Sequence, residues 1–279
     1  MFSSEYYYLV AGLRDWTLDS DTKGFDARDI IEEIVAGVSK RDREAIRLLY
    51  AYYDCENIIA AYGSRERHNP LGNLSVEQVQ EVLHGGGYSL LPSNMAKVVR
   101  AYVGGDDAGD DEQMPTERFE RALYEAYYAD LAASKCRFLN HWGAFDRNLR
   151  NIAAALAARE SGRQVSDVTV GGGDVVEQLS RSSAADFGLR GELPYIDAVI
   201  AAVSDEKNIV EKERKIDVVR WNEADDIAVF DFFNIDFLLS YLVKVNIVAR
   251  WSMLSPEVGR QMLDRLIKEL DAKELVNKQ

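Results

Sequence analysis

The sequence predicts an all-α protein, a bundle of long helices grouped in two or three similar helical units. Three observations lead there. Only 5 prolines occur in 279 residues, and a proline inside a helix costs about 3 kcal/mol. Apolar side chains recur at three- and four-residue steps through most of the chain, which places them on one helix face. Only residues 6–13, aromatic and apolar, and residues 165–170 leave room for a strand.

Taken in order, a polar patch at 19–24 precedes Asp26, which is placed to cap a helix carrying Ile30, Ile31, Ile34 and Val35 on one face. Ser39 caps a longer helix with Ile46, Leu49, Tyr50, Tyr53, Ile58 and Ala61, stopping near Gly63. After a loop at 68–74, Ser75 opens a short helix that ends at Gly85, Gly86 and Gly87. Ser93 caps another, bearing Met95, Val98, Val99 and Tyr102. Residues 106–114 read as an acidic, solvated connector between an N-terminal helical region, 1–105, and a C-terminal one, 115–279. Pro115 begins the longest helical signal, 115–161, a rod of about 70 Å shared by two helix clusters. Gly143 within it predicts a bend or a close helix contact. Glycines at 171–173 and 188–191 punctuate two short helices, Pro194 starts another, and helices at 205–230, 234–254 and 256–275 complete the chain. Residues 227–254 resemble a membrane span, but Asp231, Asp236, Lys244 and Arg250 interrupt them, so the segment reads as a buried core helix.

Composition narrows the function classes. The apolar fraction of 47% is that of a globular chain. With 33 basic and 47 acidic residues the net charge is −14. Such a surface repels phosphate backbones and anionic headgroups, which argues against nucleic acid and direct membrane insertion as partners. It favours basic protein surfaces. Two cysteines, Cys55 and Cys136, make no disulfide framework, and the start lacks a secretory leader, so a cytoplasmic protein is expected.

Chemical motifs are sparse. The glycine triplets at 85–87 and 171–173 lack the Lys-Ser/Thr that a phosphate-binding loop requires, and read as helix terminators. Asp106, Asp107 and Asp110 match the aspartate-rich pattern of helical enzymes that hold magnesium-diphosphate, but flanking glycines place them in an exposed loop. His68, His84 and His141 are scattered and never pair at i, i+4. No catalytic, cofactor or metal residue is assigned, and the chain is expected not to be an enzyme.

One pattern repeats. Tyr53-Asp54-x-x-Asn57-Ile58 sits late in one long helix, Phe145-Asp146-x-Asn148-Leu149 in another, and Asp205-x-x-Asn208-Ile209 opens a third. Residues three apart share a helix face, and a buried Asn amide can cross-link neighbouring segments through backbone groups. Three further stretches belong with these elements: Tyr6-Tyr7-Tyr8-Leu9-Val10-Ala11-Gly12-Leu13-Arg14, the Asn/Leu-Arg segment running to Arg159, and Asn246-Ile247-Val248-Ala249-Arg250-Trp251. Together they resemble the C-type (also called d-type) stalk-subunit family of V-type and archaeal-type rotary ATPases, in a divergent bacterial branch. The resemblance implies a funnel-shaped, non-catalytic helical adaptor of ion transport. Its wide end would sit on the membrane ring and its cavity would receive the central stalk. Its partners would be other rotary ATPase subunits, and it would lie peripheral to the inner face of the plasma membrane. A helical scaffold with other partners is the alternative reading, and a magnesium enzyme using the 106–110 loop a third.

Overall fold

The computed structural model describes residues 5–18, 22–103, 115–204 and 208–253, and these form eleven α-helices with two short 3-10 turns and no strand among them. The all-α expectation holds. Residues 6–13 resolve as a helix, α1 (Tyr7–Gly12), and residues 165–170 as a 3-10 turn (Val165–Asp167) followed by an irregular link.

The predicted caps set most helix starts. Asp26 accepts the backbone N–H of Arg28 at 2.8 Å and opens α2 (Ala27–Gly37), and Ser39 accepts that of Asp42 at 3.2 Å at the head of α3 (Lys40–Tyr62). Ser75 and Gln78 form a reciprocal capping box at α4 (Val76–Leu83), which ends in left-handed Gly85 and Gly87 as expected of terminators. The expectation for Ser93 differs. Helix α5 (Ser93–Val103) is capped from outside, because Asp130 takes the backbone N–H groups of Asn94 at 3.0 Å and Met95 at 3.1 Å. A carboxylate carried by a neighbouring helix thereby fixes the angle at which α5 docks.

The long rod expected over 115–161 is two helices, α6 (Thr116–Ala133) and α7 (Arg137–Glu160). No proline or glycine marks the break. The Ser134 hydroxyl accepts the N–H of Cys136 at 3.1 Å, and the Asn140 amide reaches back to the carbonyls of Leu131, Ala132 and Ser134 at 2.8–3.0 Å. Side chains that offer the backbone local bonds compete with helix continuation. The carbonyls freed at the end of α6 are satisfied from within α7. Gly143 belongs to the same hairpin: a Cβ there would lie 2.9 Å from Leu131, so it marks a close helix contact and not a bend.

Helices α8 (Asp174–Arg181), α9 (Ile196–Val203), α10 (Ile209–Ile227) and α11 (Ile235–Met253) follow. Gly171–Gly173, expected as a terminator, precedes α8, with Gly173 at its N-cap. One apolar core takes in every helix from α2 to α11. Packing of α6 on α3 and α5, and of α11 on α2 and α3, carries it across the 106–114 connector. The chain closes on itself: the Tyr241 hydroxyl donates to the carbonyl of Arg14 at 2.8 Å, and that of Tyr50 to Asn246 Oδ1 at 2.9 Å.

Among the described residues no helix is long and apolar enough to cross a membrane. The charges that interrupt 227–254 are each partnered inside the protein. Asp231 and Asp236 bind Arg137, Lys244 binds Asp225 at 2.6 Å, and Arg250 binds Asp217 at 3.1 Å.

Candidate functional site

Four of the longest helices surround a cavity of about 940 Å³. Each turns an i, i+3, i+4, i+7 stripe toward it. From α3 come Leu49, Tyr52, Tyr53 and Glu56, and from α7 Asp146, Leu149, Arg150 and Ala153. Helix α10 adds Glu213, Ile216, Asp217 and Arg220, and α11 adds Val243, Asn246, Ile247 and Arg250. That spacing is how a helix faces a neighbour. Apolar side chains at these positions would collapse into core, whereas tyrosines and charges hold the space open because their polar ends resist burial without partners.

The charges form one network. Asp146 accepts Arg150 Nε at 2.8 Å, Arg220 Nε at 3.2 Å and the Tyr128 hydroxyl at 2.7 Å. Arg220 continues to Asp217 at 3.1 Å, which also accepts Arg250 at 3.1 Å and the Trp251 indole N–H at 2.9 Å. Arg250 ends on Glu213. Burial by itself would raise the Asp146 pKa, but the two guanidiniums and the tyrosine hydroxyl reverse that and hold the carboxyl at about 2. Burial also works against the charge of Arg150, and Asp146 outweighs it, so this arginine stays protonated. The Tyr53 hydroxyl is pushed up by burial, with Glu56 adding to the effect, and remains a neutral donor.

Beside the cavity, two loops are held by matching clamps. The Asn57 amide accepts the backbone N–H of Asn69 at 2.6 Å and donates to the carbonyl of the same residue at 3.0 Å. The Asn151 amide does the same to Val170, at 2.8 and 2.9 Å. Two of the three predicted copies thus share a clamp, but not in the predicted register, and Asp205 of the third lies outside the described residues. Asn57 corresponds to Asn151, and Asp54 to Asn148, while Asp146 belongs to the ion network. Asn208, in the third copy, is the N-cap of α10, accepting from Val210 and Glu211 at 3.0 and 3.2 Å.

Among the described residues the remaining sequence candidates form no metal cluster. Asp106, Asp107 and Asp110 lie outside the described residues. Among the described residues no group of three or more His, Cys, Asp or Glu side chains could hold a metal. Cys55 is buried and Cys136 partly so, and burial, with the Asp236 carboxylate adding, pushes the Cys136 thiol up to about 12. Cavity residues were invisible as a site because their pairs, Asp146 with Arg150 and Asp217 with Arg220, look like ordinary helix-surface ion pairs. Only tertiary packing turns them inward.

Fold and cavity together define an all-helical protein whose longest helices line a half-open space bordered by tyrosines and ion pairs. A family model described as protein of unknown function (DUF2764) matches residues 3–274, and the chain belongs to that family. No match is found among the curated proteins.

Proposed function

We propose that this protein is a non-catalytic adaptor of a V/A-type rotary ATPase, joining the central stalk to the membrane ring on the cytoplasmic side. The observation that carries the reading is the cavity, because its four inward stripes have the spacing with which helices receive another helix. The clamped Tyr-Asp-x-x-Asn-Ile element and its counterpart at Asn148–Ile152 support it, since they are among the motifs on which the resemblance to a rotary ATPase stalk component rests. A net charge of −14 suits basic stalk or ring loops.

The test is co-purification. A tagged full-length chain expressed with the rotary ATPase subunits of its own organism brings down stalk and ring subunits together, and their absence ends the adaptor reading. Binding that is unchanged from low to high salt removes the electrostatic contribution while leaving the socket in place.

A second reading, a helical scaffold with other partners, is favoured by one corner of the molecule. There Tyr8 (97% exposed), Phe230 (88%) and Phe232 (63%) stand out from the surface beside the Tyr7 and Phe233 rings, which meet at a tilt of 41°. Exposed aromatic patches of this kind mark contact surfaces. Recovery of unrelated proteins by the tagged chain, dependent on Phe230 and Phe232 and without any ATPase subunit, decides for the scaffold.

A further inference from the structure

The donors and acceptors facing the cavity do not balance. Three guanidiniums, of Arg150, Arg220 and Arg250, share two buried carboxylates, Asp146 and Asp217, while Glu56 accepts the Asn69 amide at 2.9 Å and Glu213 sits at the rim with its side chain 42% exposed. Arg220 bridges both aspartates, and Arg250 spans Asp217 and Glu213. Arg150 meets Asp146 through Nε alone. Among the described residues nothing accepts from its two terminal nitrogens, although its side chain lies among α3, α7 and α10. That side chain is 38% exposed because it borders the cavity. Its guanidinium lies 4.6 Å over the Tyr52 ring, which fixes the plane of the fork. The neighbouring Tyr53 hydroxyl also faces the cavity without an acceptor among the described residues.

A planar cation with its terminal fork unused, beside a hydroxyl donor, matches the two-oxygen edge of a carboxylate or phosphate. Asp146 does not fill that role: it meets Arg150 only at Nε, and its oxygens also take the Tyr128 hydroxyl and Arg220. The walls on either side are apolar, formed by Leu49, Leu149 and Ala153. We infer that the cavity binds a small organic oxyanion, a carboxylate or phosphate monoester, with its charged end on the Arg150 fork and Tyr53 hydroxyl and its apolar body along α3 and α7. Lys212, which also borders the cavity, adds to the attraction. This site occupies part of the cavity that the adaptor reading assigns to the stalk, and its test needs no other subunit.

Calorimetric titration of the full-length chain with benzoate, phenyl phosphate and inorganic phosphate tests it. Saturable one-to-one binding of at least one organic probe is expected, with inorganic phosphate weaker, and the organic probe that binds identifies the headgroup. Tyr53→Phe removes one donor and leaves the ion network intact, so it lowers affinity about tenfold without lowering the melting temperature. Arg150→Gln abolishes binding, and Ala153→Phe, which fills the space beside the fork, does so with every charge in place. Absence of saturable binding to all three probes overturns the site. Binding that survives both Tyr53→Phe and Ala153→Phe unchanged overturns its location, and inorganic phosphate binding as tightly as phenyl phosphate overturns the apolar half of the assignment.

Discussion

The two loop clamps are built alike and finished differently. Asn57 and Asn151 each embrace one backbone unit of the loop that follows their helix. Three residues earlier, Asp54 accepts the N–H of Leu74 at 2.9 Å and the amide of Asn73 at 2.7 Å, so the first loop is held at two points. At the corresponding place Asn148 leaves its buried side-chain oxygen without a partner. An asparagine amide supplies both a donor and an acceptor, which is what a single peptide unit presents. The clamp position is therefore fixed by chemistry, while the position before it drifts with whatever the loop offers.

Breaking the clamps gives the largest effect. Asn57→Ala and Asn151→Ala each remove two hydrogen bonds and strand a backbone donor and acceptor, at about 3 kcal/mol apiece. Urea unfolding measures both, and similar losses at the two positions establish that the clamps are equivalent.

Acid separates the carboxylates that sequence alone put in register. Asp146 has its folded pKa depressed to about 2 from 3.8. The stability it contributes is present above pH 4 and is lost as pH falls to 2, amounting to about 2 kcal/mol. Asp54 has the opposite sign. Burial raises its pKa against the hydrogen bonds from Asn73 and Leu74, so its protonation on acidification restores stability. Asp146→Asn flattens the stability profile between pH 4 and 2, whereas Asp54→Asn steepens the loss on acidification below neutral pH. Equal profiles for the two variants would rejoin the carboxylates in one role.

Smaller changes sharpen the comparison at the loops themselves. A Cβ on Gly72 would lie 2.7 Å from Asn57 Nδ2 and 2.9 Å from Asp54 Oδ1, both held by their hydrogen bonds. Gly72→Ala therefore costs about 2 kcal/mol through displaced clamps. Gly171 meets nothing closer than Arg147 at 3.5 Å but sits at φ +75°. Gly171→Ala costs about 1 kcal/mol through backbone strain alone. Asn148→Leu has the smallest effect, within about 1 kcal/mol of neutral, because removing the unsatisfied oxygen offsets the loss of the amide's bond to Tyr195. Thermal unfolding ranks the three.

Much of this architecture is legible in the chain itself. Periodic Ile, Leu and Tyr positions mark the helices, and Asp26, Ser39 and Ser75 announce their own starts, because capping uses neighbours in sequence. The break between α6 and α7 is hidden, since it depends on Asn140 reaching backward and no helix breaker marks it. The cap of α5 is hidden for a related reason: Asp130 stands thirty-six residues away from Asn94. The Asn57 clamp could be anticipated as a buried amide bonding backbone, but not which backbone. The cavity is the least visible feature. Its stripes carry the same spacing as core-forming stripes, and only the convergence of four helices distinguishes a space from a seam.

The closure of the chain on itself has a consequence during synthesis. The bond between Tyr241 and Arg14 joins positions 227 residues apart, and α2 and α3 both pack on α11. At about 5–20 residues per second on the ribosome, α2 waits about 10–45 s for the helix that covers it. Until then Ile34 and its neighbours offer an oily stripe to any passing chaperone or sister chain. Yield from a cell therefore tracks how well that interval is guarded, and a circular permutant that makes α11 first would shorten it.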